Sequence, residues 1–285
     1  MSVTLTQSYS FSFNGQTFGG VGSPYQVLSV DGLEALPPLR VQDDNRGYNN
    51  GMFSGRDFFA GRTVSIIFNT FGSDGVSAQT NFNTIQSILL PQTSGTTPLY
   101  FLMPPDQTQF LNARVRALKA TVDPNYTYGY ITAQVEFFCP DPCYYSNNLQ
   151  TAYMEYSTVA GRTYNKLFNY TYGGGSVIIT STVTNNGWTD TYPTITIKGP
   201  ITNPIVGNVT QNKYLYLTGT YTDTDIIIID LYNKLITLNG LPARNILTSG
   251  EWFSASPGNN EYYFTGTGTL AGTTEAVVTW HSAYV

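Results

Sequence analysis

The scarcest commodity in this chain is charge. Asp, Glu, Lys and Arg supply 11% of its 285 residues, against about 25% in an average soluble domain. Histidine occurs once, at His281, and cysteine twice, at Cys139 and Cys143. A Ser-His-Asp or Cys-His site would therefore have to use His281. That residue sits in an alternating Trp-His-Ser-Ala-Tyr stretch and reads as a strand-borne polar side chain, with no nucleophile elbow to accompany it. The C-x-x-x-C pair supplies half a zinc site at most, because no second pair exists. Free thiols, a disulfide and a metal-ligand pair all stay open, and with no secretory signal the thiols are read as reduced. Long apolar runs are missing too. The longest aliphatic run is Ile226–Ile229, far short of the roughly 20 residues a bilayer needs, so no membrane insertion is expected. Met1–Thr6 has neither a basic nor an apolar region, and no secretory signal is expected. Basic clusters are absent: the 13 Lys and Arg are scattered, and the densest group is Arg114, Arg116 and Lys119. With a net charge of −5 and a pI near 4.7, binding to phosphate backbones is not expected. Too little Ala, Glu, Lys and Arg excludes a helical bundle, and ample apolar mass excludes a disordered chain.

What the chain does have is 22 Tyr, 16 Phe, 27 Gly and 15 Pro, arranged as short alternating runs broken by turn residues. Thr4–Phe13 places Leu5, Tyr9, Phe11 and Phe13 on one face and Thr and Ser on the other, the period-2 pattern of a half-buried strand. Asn14-Gly15 follows as a hairpin turn. Val64–Phe68, Pro98–Met103, Ala113–Thr121 and Tyr130–Phe138 are further strands. In the third of these, Arg114 and Arg116 share one face and Val115 takes the other. Phe82, Ile85, Ile88 and Leu89 fall at spacings of three and four, which predicts a helix over Thr80–Leu90 stopped by Pro91. Such a short helix has to lie on a sheet to be stable. Cys139-Pro-Asp-Pro-Cys143 cannot continue a strand ladder and marks the expected boundary between a domain at 1–140 and one at 141–285. Beyond it, Thr151–Gly161 opens a second β-rich unit. Strands are expected at Ser176–Thr184, Thr194–Lys198, Tyr214–Tyr221, Ile226–Asp230, Leu235–Leu238, Glu261–Thr265 and Ala276–Ser282. Turns fall at Asn186-Gly187, Gly199-Pro200, Asn239-Gly240 and Pro257–Asn260. That spacing is the signature of a β-sandwich. Gly173–Gly175 is the one low-complexity tract.

Few constellations could carry chemistry. Asp223 and Asp225, with Asp230 downstream, could share a strand face, and a glycosidase needs two carboxyls about 5–10 Å apart. Their context, Tyr-Thr-Asp-Thr-Asp before a buried aliphatic strand, reads more simply as a solvated turn. No catalytic residue, cofactor or metal is expected. Arg62, in Gly61-Arg-Thr-Val-Ser-Ile-Ile-Phe, is either a charge guarding a strand edge or a clamp at an interface. Together with Asp43, Asp44, Arg46, Arg56 and Asp57 it forms our candidate subunit-interface set. These are charged and loop positions beside a strand edge, available to neighbours.

The order of motifs resembles the siphophage distal tail protein family, the hub at the end of a long non-contractile phage tail. In the first half it runs Phe11-Ser-Phe-Asn-Gly, Val30-Asp-Gly-Leu33, Leu39-Arg40, a polar loop to Gly51, then Gly55-Arg-Asp-Phe-Phe-Ala-Gly-Arg-Thr-Val-Ser-Ile-Ile-Phe68 and Phe137-Phe-Cys-Pro-Asp-Pro142. In the second half it runs Ile227-Ile-Ile-Asp-Leu-Tyr-Asn-Lys-Leu-Ile-Thr-Leu-Asn-Gly240, Trp252-Phe253 and Ser256-Pro-Gly-Asn-Asn-Glu-Tyr-Tyr-Phe264. Each motif alone is mostly turn chemistry; their joint order across two domains carries the resemblance.

The resemblance implies a mainly β protein. Its N-terminal β-rich domain, with one short helix, would form a ring of six copies, and a galectin-like C-terminal β-sandwich would project outward. The expected function is that of a structural, non-enzymatic hub at the tail tip of the virion. Its partners would be copies of itself, the major tail tube protein, the tail-tip protein and receptor-binding or fibre proteins. DNA would pass through the lumen without specific binding, and the negative net charge favours an acidic lumen. Two rival readings stand beside it. A carbohydrate-binding module for receptor recognition would show exposed aromatics near Trp188 or Trp252. A glycan hydrolase would depend on Asp223 or Asp225.

Overall fold

The computed structural model describes residues 5–91, 95–104, 107–121, 123–156, 179–267 and 274–285. Gly173–Gly175, the end of the Thr151–Gly161 segment and the start of the Ser176–Thr184 strand lie outside the described residues. Strands dominate the described chain, and its α-helix is Gly75–Ile88. The chain divides into two compact units, Met1–Asn147 with Tyr284–Val285, and Asn148–Ala283.

The first unit is built on one antiparallel sheet. Its order is Gln16–Phe18, Phe11–Phe13, Thr97–Met103, Gln107–Thr121, Tyr130–Cys139, Arg62–Phe71, Tyr25–Asp31. Asn14 and Gly15 make the expected turn, with φ of 47° and 80°, and close the first hairpin. The strand ahead of it is shorter than the alternation over Thr4–Phe13 suggested. Ser10 N–H donates to the Gln7 carbonyl at 3.1 Å, and Tyr9 sits at φ 61°, where a pleated strand cannot continue. Leu5, Phe11 and Phe13 are buried as expected, whereas Tyr9 is exposed.

Gln107–Thr121 extends well ahead of the expected Ala113 because it serves three partners, Tyr144–Ser146 pairing at Gln109 and Phe110. Residues 107–113 pair with Thr97–Met103 and residues 114–121 with Tyr130–Cys139, with an irregularity between Val115 and Ala117. A bulge of this kind lets one strand bend from one neighbour to the next.

Along Arg62–Phe71, Val64, Ile66 and Phe68 point into the core, and along Tyr130–Cys139 so do Ile131, Ala133, Val135 and Phe137. Burying each large side chain contributes roughly 1.5–3 kcal/mol relative to exposing it. The opposite face is mixed, with Ile67, Phe71, Tyr130 and Phe138 beside polar side chains. There Thr132 donates to Asn69 Oδ1 at 2.8 Å and Gln134 to Ser65 Oγ at 2.8 Å. The helix packs on the Arg62–Phe71 and Tyr130–Cys139 strands, burying Phe82 and Ile85, with Leu89 buried just beyond its end. It starts at Gly75 rather than Thr80. Asp74 accepts from Ser77 N–H at 2.8 Å while Ser77 Oγ accepts from Asp74 N–H at 3.1 Å. This reciprocal cap is spelled Asp-x-x-Ser instead of the usual Ser/Thr-x-x-Glu, which hid it in the sequence.

The second unit is a β-sandwich, as expected. One sheet orders Gln150–Met154, Glu275–Trp280, Thr194–Lys198, Ile226–Asp230, Leu235–Leu238 and Leu241–Pro242. The other orders Thr180–Asn185, Gly258–Thr267, Ile201–Asn208, Lys213–Leu217 and Leu247–Gly250, with Thr220–Tyr221 attached to Ile201–Asn208. Ile195, Ile197, Ile227, Ile229 and Val278 from the first meet Val183, Val206, Leu215, Tyr262 and Phe264 from the second in a single core.

Two readings needed correction. Ile201–Asn208 is a full strand that Pro204 and Gly207 concealed, since both residues normally argue against a strand interior. Gly207 is required there: a Cβ would lie 2.3 Å from the Tyr263 ring. Pro257–Asn260 is not all turn either. The strand begins at Gly258, and Asn260 is buried, donating to the Ser256 carbonyl at 2.7 Å.

Candidate interaction surface

The first unit carries an arm. After Leu33 the chain leaves the core, and every residue from 38 to 59 is exposed. The segment expected as a loop is a hairpin in two short ribbons. Leu39 and Arg40 pair with Phe59 and Phe58; Asp44 and Asn45 pair with Phe53 and Met52. Between the ribbons Asp43 Oδ1 accepts the Gly55 N–H at 2.8 Å. Any side chain at position 55 would collide with the backbone of Gln42, because a Cβ there would stand 1.9 Å from its carbonyl oxygen. The arm closes through a loop at 46–51, where Arg46 N–H donates to Gly51 O at 3.3 Å.

Arginines and aromatics interleave along this hairpin. Arg40 and Arg56 lie 5.3 and 5.2 Å from the centre of the Phe58 ring, and Arg46 lies 5.0 Å from Phe53. Exposed contacts of this type contribute about 0.5–1 kcal/mol each. Leu39, Val41, Tyr48, Met52, Phe53, Phe58 and Phe59 are all exposed. An isolated two-stranded ribbon is marginal in water, and a contiguous apolar surface of this kind marks a contact site.

Five of the six candidate interface residues, Asp43, Asp44, Arg46, Arg56 and Asp57, stand together on this arm. Arg62 does not. It is 2% exposed, lies across from Cys139 in the register, donates through Nη1 to the Leu33 carbonyl and stacks over Tyr144 at 5.5 Å. Its Nε and Nη2 have no partner among the described residues. Burial lowers its pKa, with Tyr144 and the two cysteines opposing. Charge pattern alone picked out the arm's ionic residues but missed Arg40 and the aromatic half of the surface. The paired Met52-Phe53 and Phe58-Phe59, flanking polar residues, were the available signal.

The rival sites have less to offer. Asp225 spends its carboxylate inside a turn. It accepts from Asn239 Nδ2 at 2.8 Å, Thr222 N–H at 2.7 Å and Thr222 Oγ1 at 2.8 Å, and these bonds hold its pKa below the usual value. Asp230 caps the next turn, accepting from the N–H groups of Tyr232 and Asn233, each at 2.9 Å. Among the described residues no three His, Cys, Asp or Glu side chains cluster as metal ligands. A groove of about 720 Å³ in the first unit is lined by Gln7–Ser10, Gly19–Ser23, Gln26–Val30 and Phe71; no carboxylate, histidine or cysteine faces it. Cys139 and Cys143 are free thiols. Burial pushes both up to about 12, with Asp141 adding to the rise and Arg62 opposing it. Trp252 packs against the sandwich core with Arg244 5.0 Å from its ring, while Trp188 is 62% exposed. No helix of the described residues is long and apolar enough to cross a membrane.

Comparison with known proteins converges on one class. Residues 186–284 match the family model described as the siphovirus-type tail component, C-terminal domain. No curated protein matches the chain in sequence. Among solved structures, the chain is similar to SPP1 Dit, described as a paradigm of the hub adsorption apparatus in phages infecting Gram-positive bacteria. The identity is 13% and the TM-score 0.69, over 98% of this chain and 100% of that one. It is also similar to a chain of the phage P2 baseplate in its activated conformation with calcium, at 11% identity and a TM-score of 0.50 over 96% and 98% of the two chains. The strontium form of that baseplate gives 11% and 0.50 over 95% and 97%. The family-model match thus falls on the second unit, and the chain as a whole shares the fold of SPP1 Dit. Both findings agree with the resemblance to siphophage distal tail proteins read from the sequence.

Proposed function

We propose that this protein is the distal tail hub of a long-tailed phage: copies close into a ring that joins the tail tube to the tail-tip or baseplate proteins and leaves a passage for DNA. The observation that carries this reading is the arm. It offers apolar and arginine-aromatic surface, and every residue from 38 to 59 is exposed. Identical heterologous contacts, arm of one copy against body of the next, are what close a ring. The resemblance supplies the number six. The work is geometric and non-enzymatic, with the first unit forming the ring and the second the outward module.

The outer face of the first sheet, where polar side chains stand among Ile67, Phe71, Tyr130 and Phe138, is the surface we assign to the passage. Its hydroxyl and amide groups bond one another. Lys119 lies 3.7 Å from Glu136, and Arg114 and Arg116 lie over the Phe138 ring at 5.6 and 4.7 Å. A passage lined this way would offer few free cations to hold a phosphate backbone, in keeping with the negative net charge of the chain.

Light scattering on the purified chain and on a Phe53→Ser/Phe58→Ser variant tests the arm. The expected result is a closed oligomer for the native chain, and a monomer of unchanged thermal stability for the variant. A native chain that stays monomeric both alone and when added to assembled tails contradicts the proposal. The second unit gives some support to a sugar-contacting role as well. Trp188 is exposed beside a chain segment leading to Tyr192, whose ring meets Tyr232 edge-on at 5.8 Å; that reading requires retention of the protein on cell-wall glycan.

A further inference from the structure

Four Asn-Gly pairs occur in the chain, at Asn14, Asn50, Asn186 and Asn239. Such pairs are chemically reactive. The glycine nitrogen attacks the asparagine side-chain amide carbon, ammonia leaves, and the cyclic imide is opened by water to aspartate or isoaspartate. The sum is amide plus water to acid plus ammonia, with no change of oxidation state. The reaction requires a side chain free to swing over the next peptide, a glycine N–H that is not engaged, and backbone rotation.

Three of the four sites deny at least one of these. Asn239 sits at φ 51° in a turn between paired strands. Its amide is fixed at both ends, Oδ1 accepting from Ile226 N–H at 2.9 Å and Nδ2 donating to Asp225 at 2.8 Å. At Asn186 the attacking group is engaged, because Gly187 N–H donates to Asn185 Oδ1 at 3.0 Å. Asn14 is held at φ 47° between Phe13 and Gln16, which pair directly, and its Nδ2 donates to Ile88 O at 3.3 Å. Asn50 differs on every count. It is exposed in the 46–51 loop at the tip of the arm. Neither its side chain nor the Gly51 N–H has a hydrogen-bond partner among the described residues.

We propose that Asn50 is a site of spontaneous deamidation, and that this converts the arm from a native to an aged form. The consequence for the arm rests on reading it as the contact surface. Aspartate at position 50 adds a negative charge to the loop beside the outer ribbon, which carries Asp44 and Arg46. Isoaspartate adds a backbone carbon to the loop that sets the Asp44–Phe53 and Asn45–Met52 register, so the outer ribbon can no longer close as it does.

The test is incubation of the purified protein at mildly alkaline pH beside a synthetic peptide spanning 46–54, followed by peptide mass mapping and isoaspartyl methyltransferase labelling. Asn50 is expected to convert within about tenfold of the peptide, a barrier difference under ~1.4 kcal/mol. Asn14, Asn186 and Asn239 should be slower than Asn50 by more than about tenfold, a barrier higher by over ~1.4 kcal/mol. Asn50→Gln should remove the signal from that peptide and leave the melting temperature unchanged. Retention of the amide at Asn50 after the peptide has converted, or earlier conversion at any of the other three, overturns the proposal. Repeating the incubation on an isolated oligomeric fraction separates the two readings. Slower conversion there supports both. Equal rates in monomer and oligomer leave Asn50 a deamidation site but contradict the arm tip as a contact.

Discussion

Arg62 shows how far one buried cation can organise its surroundings. Its guanidinium reaches the Leu33 carbonyl, where the arm leaves the core, and covers Tyr144, whose ring stacks on Tyr284 at 5.6 Å. Arg62 thus secures the root of the arm rather than its surface. Truncation to alanine strands a buried carbonyl and removes the packing of a long side chain, so Arg62→Ala is expected to cost about 3 kcal/mol of stability. Arg62→Met, which restores the packing, should cost less. Urea denaturation checks this, and an Arg62→Ala change within ~0.5 kcal/mol of the native protein would remove Arg62 from the account. The neighbouring thiols make a second expectation. With Cys139 and Cys143 raised from 9.0 to about 12, both stay protonated and unreactive at neutral pH. The unfolded chain gives up these protons first, so between pH 9 and 12 it binds fewer protons than the folded one, and stability falls as pH rises through that window. Thermal melts at pH 8, 9.5 and 10.5 should show a descending midpoint. A flat profile with rapid thiol labelling at pH 8 would contradict the burial.

At the scale of elements, alternation was the most legible signal. The Ile226–Asp230 strand, read in the sequence as the buried aliphatic run, in fact alternates. Ile227 and Ile229 are buried, while Ile226 and Ile228 stand on the outer face. Ile229→Ala is therefore expected to cost about 2–5 kcal/mol and Ile228→Ala under ~1 kcal/mol, measured by the same denaturation; equal costs would refute the assigned faces. Turn chemistry was legible wherever side chain and backbone conformation agree, as at Asn14-Gly15 and Asn239-Gly240. It misled where tertiary contacts overrode it. Gly207 lies mid-strand because a tyrosine ring needs the space, and Asn260 is strand because a buried hydrogen bond holds it. The helix lost its first turn in the sequence because its cap is made of residues that pattern reading assigns to loops.

For the molecule as a whole, two β-rich units and the mixture of one helix with many strands could be read from composition and spacing. The arm could not. Between Pro38 and Phe59 no period of two persists for more than a few residues, since the ribbons are two residues long and both faces meet solvent. Binary patterning encodes a buried side, and a segment with no buried side in its own chain leaves no such record. For the same reason the charged residues of the arm were visible one by one, while the surface they form with Phe53, Phe58 and Phe59 emerged only in three dimensions. The ring itself is a property of several copies and is written in no single chain. Cryo-electron microscopy of the intact virion tail tests it most directly. Six copies of this fold are expected, closed around the tail axis at the tip, each arm lying on its neighbour. Finding the chain away from the tip, or as an isolated copy with its arm in solvent, would contradict it.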